Sequence, residues 1–395
     1  MHIKLSDPVI VSRGPNAETA GWGAYQFPDL WQMPDGRLLY SFHNAADSVT
    51  EYGAEPVFCV SEDKGKTWKQ VQRNDIDHLM GLQLPNGDLL RFINQPSLPA
   101  EGMELPEPIC TSVKGFAAYP LDALPEGLCK KTWEFVRVNE EHPQGVLEKA
   151  TLNWPYMFTT AAKGVLLQPH PAGRLRLAPD GTLWMPHYAP VGIDPATGKA
   201  DSLQMSNYLL KSTDNGHTWD LVTYLPYYPP SEKEANWEGY NENDITTAPD
   251  GSLIRLIRTH VIYVKQAWEP MLITRSTDGG KTWSDPEEFD YTGVWPALLT
   301  LKCGVTLASY GRPGLYLRAT ADPACKVWED PIELIHSNRQ PNKPGSVVNM
   351  ATCSYTDLIP IDDHTAGLAY SDFTIPDENG TPRKTMMFRT ITIED

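Results

Sequence analysis

Glu242 stands eight residues before Asp250, and Arg258 stands eight residues after it. The dipeptide Asp250-Gly251 lies between two apolar runs, a strong hairpin signal. The spacing therefore places a carboxylate and a guanidinium at the same end of one hairpin, remote from its turn. Applied to other turns of the chain, this ruler selects Gln26, Phe27 and His43; His78 and Asn94; His170, His187 and Tyr188; Trp295 and Arg312; and Tyr370. The set is polar, basic and aromatic, in a chain whose formal net charge is −17. A basic pocket in an acidic protein suits an anionic ligand. The histidines show no H-x-x-x-H or H-E-x-x-H spacing, so they read as ligand-facing or core groups rather than metal ligands, and no cofactor is implied.

The elements that position these residues form two interleaved repeats. The first is an apolar run, a tight turn and a second apolar run: WQMPDGRLLYSF (31–42), LQLPNGDLLRFI (82–93), LRLAPDGTLWMP (175–186) and ITTAPDGSLIRLI (245–257), with looser copies LLTLKCGVTLASY (298–310) and LIPIDDHTAGLAYS (358–371). The second is an eight-residue turn word: SEDKGKTW (61–68), STDNGHTW (212–219) and STDGGKTW (276–283). After the second hairpin only KKTW (130–133) remains of it, and after the fifth, RATADPACKVW (318–328) keeps Asp and Trp but lacks the Gly. Ser and Asp side chains can bond backbone groups a few residues on, and Gly accepts positive φ. Hairpin, third strand, turn word and fourth strand make one four-stranded blade. Six such units predict an all-β, six-bladed β-propeller spanning 1–395 as a single domain. The opening strand IKLSDPVIVS and the closing KTMMFRTITI should complete one blade between them.

Bulk composition agrees. Hydrophobic residues make up 41% of the 395, enough for a sizeable core, and 35 Pro with 29 Gly leave little room for long helices. No 18-residue apolar run suggests a membrane span. The acidic balance argues against nucleic acid and anionic membranes as partners. The six cysteines (59, 110, 129, 303, 325, 353) contain no C-x-x-C pair, and Cys59, Cys303 and Cys353 sit in apolar runs. Buried free thiols in a reducing compartment are expected. The start, MHIKLSDPVI, has no charged-then-apolar leader, which makes a cytoplasmic location the expectation, or a secreted one if a leader has been removed.

The turn word is the Asp box, and six blades carrying it resemble the sialidase (neuraminidase) superfamily over essentially the whole chain. The resemblance implies a glycoside hydrolase that removes a terminal acidic sugar, sialic acid or a relative, from an acidic oligosaccharide or glycoconjugate. It implies residue roles position by position. NENDITTAPDGSLIRLIR (241–258) matches the segment with a Glu before a strand and an Arg after the turn, at Glu242 and Arg258. GRPGLYLRATADP (311–323) matches a further arginine segment at Arg312, and SYTDLIPIDDHTAGLAYSD (354–372) matches the nucleophile strand, with Tyr370 in the tyrosine's place. The loop HNAADSVTE (43–51) offers Asp47 as acid/base, with Glu51 as rival. Sialidases depart from the two-carboxylate rule by using a Tyr nucleophile. A neutral phenol avoids the repulsion that a carboxylate would meet at an anomeric centre bearing its own acid group. One departure stands out: where the family has Tyr-Arg-Ile-Pro, this chain has Tyr25-Gln26-Phe27-Pro28. Gln26 is therefore expected beside Arg258 and Arg312 in place of the first arginine, with His43 and His187 as further substrate contacts. Competing readings of the same ring are a lyase acting on uronate-containing glycans and a non-catalytic glycan-binding propeller.

Overall fold

The computed structural model describes all residues except 52–53, 94, 126, 129–131, 230–236, 262–269, 292, 313, 337–350 and 395. Asn94 and Cys129 thus lie outside the described residues. Six sheets form the blades of a β-propeller. Blade one is Gln26–Gln32, Leu38–His43, Val57–Ser61 and Lys69–Val71, paired in that order. Blade two is Leu82–Gln83, Leu89–Phe92, Glu134–Val138 and Val146–Lys149. Blade three is Arg176–Leu177, Leu183–Ala189, Ser206–Ser212 and Thr218–Leu225, with Thr151–Asn153 added in parallel at its outer edge. Blade four runs Trp237–Thr247, Leu253–Val261, Met271–Ser276 and Glu287–Asp290, and blade five Val294–Thr300, Thr306–Gly311, Leu315–Thr320 and Ile332–Ile335.

Blade six begins with Asp357–Pro360, Thr365–Asp372 and Arg383–Glu394, and the chain start closes it. Both His2–Leu5 and Val9–Asn16 pair with Arg383–Glu394, in registers His2↔Glu394 and Val9↔Phe388. This is the seal that the two chain ends imply. The innermost strands of blades four, five, six and one lie against one another in turn around an axis, and the second strand of blade three, Leu183–Ala189, lies against the innermost strand of blade four. Between the blades sit apolar layers, such as Leu317, Leu368 and Met387 between blades five and six, and Tyr40, Ala369 and Phe388 between blades six and one.

The turn word is built the same way each time. Ser61 Oγ donates to Asp63 and accepts from Gly65 N, and Trp68 Nε1 donates to Gly65 O at 3.1 Å. Ser212, Asp214, Gly216 and Trp219 repeat this set, as do Ser276, Asp278, Gly280 and Trp283. The degenerate fifth copy keeps the shape. Trp328 Nε1 donates to Cys325 O at 2.8 Å, and Cys325 adopts φ 51° where the other copies have glycine. The side chain of that left-handed residue is fully buried in the apolar layer between blades four and five.

Two features depart from the sequence reading. A five-stranded sheet of Cys110–Thr111, Ala117–Pro120, Phe158–Ala162, Val165–Leu166 and Leu98–Pro99 stands outside the six-blade count. It is assembled from two separate insertions, one inside blade two and one before blade three, so no local pattern announces it. Five described cysteines are free, but Cys303 sits half-buried in a turn rather than in a strand. Among the described residues no helix is long and apolar enough to cross a membrane.

Candidate functional site

The innermost strands surround an axial cavity of about 2260 Å³. It runs from the hairpin turns, where Pro85, Asp180, Gly251 and Gly304 line it, to the opposite end of the ring. There Trp22, Phe27, His43, Asp47, Glu242, Arg258, Trp295, Arg312 and Tyr355 line it. A shared irregularity brings several of these side chains inward. The ladder of the innermost hairpin breaks between Gln26 and Asp29 in blade one, between Tyr240 and Asn243 in blade four, and between Val294 and Ala297 in blade five. Phe27, Glu242 and Trp295 sit in those breaks. Phe27 (φ 55°) and Trp295 (φ 39°) have left-handed backbones, the re-aiming that bulges impose.

Glu242 is the centre of the polar contacts. Its Oε2 accepts from Arg258 Nη1 at 2.6 Å and from the Trp295 backbone N–H at 3.0 Å, while its Oε1 accepts a short hydrogen bond from the Tyr355 hydroxyl. Burial alone would push the Glu242 carboxyl up, but the Arg258 guanidinium, the Tyr355 hydroxyl and the charge of Arg312 outweigh it and hold the pKa below the usual value. The same contacts act in reverse on the phenol: burial, then the Glu242 charge, push Tyr355 well above an ordinary tyrosine. At rest the pair is a neutral phenol facing an ionised carboxylate.

Aromatic walls hold the phenol in place. Trp295 stacks on Tyr355 at 5.3 Å and 20°, Phe27 meets it edge-on at 4.7 Å, and the Arg312 guanidinium lies 5.6 Å from its ring centre. Arg312 also donates to Cys353 O at 3.1 Å and lies 5.2 Å over the Trp22 ring. The Trp22 indole N–H donates to Asp47 Oδ2 at 2.9 Å, placing that exposed carboxylate at the cavity mouth. Glu51, its rival, does not line the cavity.

Beneath this group the axis is filled by charge. Arg176 is bidentate to Asp244, and Arg174 pairs with Asp357 at 3.1 Å. The same carboxylates tie neighbouring blades together. Asp244 accepts from Leu298 N at 2.8 Å and Asp357 from Leu30 N at 2.9 Å. Burial, then the nearby Asp357 charge, raise Asp29 to about 7 against the pull of Arg174 and Arg176. Among the described residues no group of three His, Cys, Asp or Glu side chains is gathered as a metal would require.

Of the sequence candidates, Glu242, Arg258, Arg312, Asp47, His43 and His187 all line the one cavity. Two do not. Tyr370 lies in the apolar layer between blades five and six, 3% exposed, among Leu317, Leu368 and Met387. Strand alternation turns it away from the axis, and burial pushes its phenol up to about 12. The tyrosine that meets Glu242 is Tyr355, fifteen residues earlier in the same quoted segment. Ser354 (φ 67°) turns the chain just before it. Gln26 is also misplaced by the ruler. The bulge after it sends Phe27 to the cavity, while Gln26 is fully buried with its Oε1 accepting from Gly23 N at 3.1 Å. Arg258 and Arg312 line the cavity and Gln26 does not, which leaves it without access to a ligand there, contrary to the expectation that it takes the place of a substrate-binding arginine. His78, in a short turn of Asp77–Leu79, is likewise outside the cavity.

No protein-family model matches this sequence, and no curated protein does. Solved structures do match. A protein of unknown function from Dyadobacter fermentans superposes with TM-score 0.64 at 19% identity over 99% of each chain. A Hadza microbial sialidase matches with TM-score 0.51 at 14% identity, over 96% of this chain and 68% of its own. The α-L-arabinofuranosidase Arb93A of Fusarium graminearum, in complex with an iminosugar inhibitor, matches with TM-score 0.50 at 14% identity over 98% of each chain. At such identities the likeness establishes the fold, a six-bladed propeller of the kind found in these proteins.

Proposed function

We propose that this protein is a retaining exo-glycoside hydrolase acting on a terminal sugar that carries a carboxylate. The observation that carries the reading is the contact between the Tyr355 hydroxyl and the Glu242 carboxylate at the wall of the axial cavity. A phenol is a weak nucleophile until a base takes its proton. Glu242, held ionised by Arg258, is that base. Tyr355 Oη attacks the anomeric carbon as its proton passes to Glu242, and the bond to the leaving oxygen breaks as Asp47 protonates it. Water then attacks the anomeric carbon, Asp47 taking its proton, and the bond to Tyr355 Oη breaks as Glu242 returns its proton to that oxygen. Arg312 and Arg258 supply the positive field for the acid group and for charge developing in the transition state. The propeller glycosidases among the structural neighbours add support, since a sialidase and an arabinofuranosidase share the scaffold.

The test is a panel of aryl glycosides of acidic sugars, including sialic acid and hexuronic acids, with chromophore release and product anomers both followed. Release from at least one, with the β or α configuration kept in the first-formed product, supports the reading. Products absorbing in the ultraviolet through a new double bond would establish a lyase instead. Silence of the whole panel, with neutral glycosides hydrolysed, would remove the acidic-sugar assignment.

A further inference from the structure

The segment Gln168-Pro169-His170-Pro171-Ala172-Gly173 runs from the inserted sheet to blade three, and its two prolines keep it extended. It lies along Leu183–Ala189: the Ala172 N–H donates to His187 Nδ1 at 3.0 Å, and the Tyr188 N–H donates to Ala172 O at 3.2 Å. Gly173 then passes so close to blade three that a Cβ would lie 2.3 Å from Pro186 O, at φ 149°, an approach open only to glycine. The next side chain, Arg174, is buried and reaches three other blades. Its Nη1 donates to Pro296 O at 2.5 Å and its Nη2 donates to Thr356 O. Asp357 Oδ1 lies 3.1 Å from its Nε and Asp244 Oδ2 3.8 Å from its Nη1. The guanidinium also sits 4.8 Å from the centre of the Trp295 ring.

Each carbonyl that Arg174 holds follows directly on a residue of the site. Pro296 follows Trp295, whose ring stacks on Tyr355 and whose N–H donates to Glu242. Thr356 follows Tyr355 itself. Both places are strained: Trp295 has φ 39°, and Ser354, just before Tyr355, has φ 67°. Residues other than glycine stay in that region only where their surroundings over-determine them. We infer that Arg174 is a positioning residue: it fixes Trp295 and Tyr355 relative to each other and so keeps the Tyr355 hydroxyl against Glu242. A guanidinium suits this task, because its planar fork sets two acceptors at one separation while its face packs on the indole. A lysine ammonium is a point charge that would keep the pairing with Asp357 and lose that geometry. The effect on turnover rests on the reading of Tyr355 as nucleophile and Glu242 as its base; the placing of Trp295 does not.

The first readout needs no turnover. Fluorotryptophan is incorporated, and the fluorine NMR resonance of Trp295 is assigned by its loss in Trp295→Phe. In Arg174→Ala that resonance should shift and broaden, and guanidinium chloride at tens of millimolar should restore it where equal sodium chloride does not. The second readout is steady-state kinetics on a glycoside that wild type hydrolyses. Arg174→Ala should lower kcat by about 10²-fold, as a misplacement of about 1 Å does, with KM changed less than about threefold and at least about fivefold of the loss in kcat recovered by guanidinium. Arg174→Lys keeps a cation beside Asp357, so it remains informative if Arg174→Ala melts lower, and its kcat should fall by about tenfold or more. The inference is overturned if the Trp295 resonance is unchanged in both variants, if Arg174→Lys turns over like wild type, if guanidinium restores neither readout, or if the loss falls in KM, which would make Arg174 a substrate contact. A displaced Trp295 resonance, restored by guanidinium, with no glycoside hydrolysed by wild type would remove the proposed function and leave Arg174 as the residue that places Trp295 and Tyr355. Hydrolysis by wild type with both variants unaltered would do the reverse.

Discussion

Replacing Arg258 by Met would leave the Glu242 carboxylate buried without its cation. In the wild-type protein Arg258 Nη1 sits 2.6 Å from Glu242 Oε2, and both side chains are under 10% exposed. Breaking a buried pair from one side costs about 3–5 kcal/mol, because the remaining charge is stranded. The pH dependence should change sign as well. Wild-type Glu242 titrates below its unfolded value, so its contribution to stability is present above about pH 4.5 and lost as pH falls through the folded pKa. In Arg258→Met burial dominates and the folded pKa lies above the unfolded one. The variant then loses stability as pH rises from about 4.5 towards the new pKa. Neutralising the stranded group in Arg258→Met/Glu242→Gln should recover most of the loss at pH 7. Thermal melts of wild type, both single variants and the double variant between pH 4 and 8 make the comparison. An Arg258→Met protein as stable as wild type at pH 7, or a double variant no better than the single one, would refute the view that Arg258 holds Glu242 ionised.

Tyr355→Phe should lower turnover of an active glycoside by at least about 10³-fold, as loss of a nucleophile does, while Tyr370→Phe changes it less than twofold; steady-state kinetics on both decide. Gly65→Ala should destabilise the protein by about 2 kcal/mol or more, read by denaturant unfolding. Gly65 has φ 90°, and a Cβ there would lie 2.0 Å from Phe388 Cε1. Asp29 has a raised pKa of about 7, so its protonated form favours the fold, and its contribution is full at low pH and lost as pH rises from about 4 to 7. Asp29→Asn should therefore melt higher relative to wild type at pH 8 than at pH 5, with Asp357, Arg174 and Arg176 unchanged around it; an equal difference at both pH values counts against the buried charge cluster.

The blades were legible because each is local. The Asp-Gly and Asn-Gly turns and the repeated Ser-Asp-Gly-Trp word specify hairpins within some forty residues, and the fifth word shows the limit of composition. Cys325 takes the glycine's conformation, so the turn survives where its sequence signature does not. Glu242, Arg258 and Arg312 were legible for a similar reason, as their distance from a turn places them at the axis. Counting residues from a turn fails where a strand bulges. One extra residue reverses the faces of a strand, and so Phe27 rather than Gln26 reaches the cavity. Of the two tyrosines in one segment the ruler selects Tyr370, which is buried between blades while Tyr355 lines the cavity, because the ruler gives height along a blade but not the face a side chain occupies. The extra sheet had no local signal, since it depends on pairing between insertions far apart in the chain.

In the proposed mechanism Tyr355 forms a covalent bond to the substrate. Incubating the protein with a fluorinated acidic glycosyl donor bearing a good leaving group slows release of any covalent intermediate, and peptide mass spectrometry then locates the label. One sugar per chain is expected on the peptide containing Tyr355, absent from Tyr355→Phe and strongly reduced in Glu242→Gln. A sugar attached to Glu242, or to any residue other than Tyr355, would contradict it.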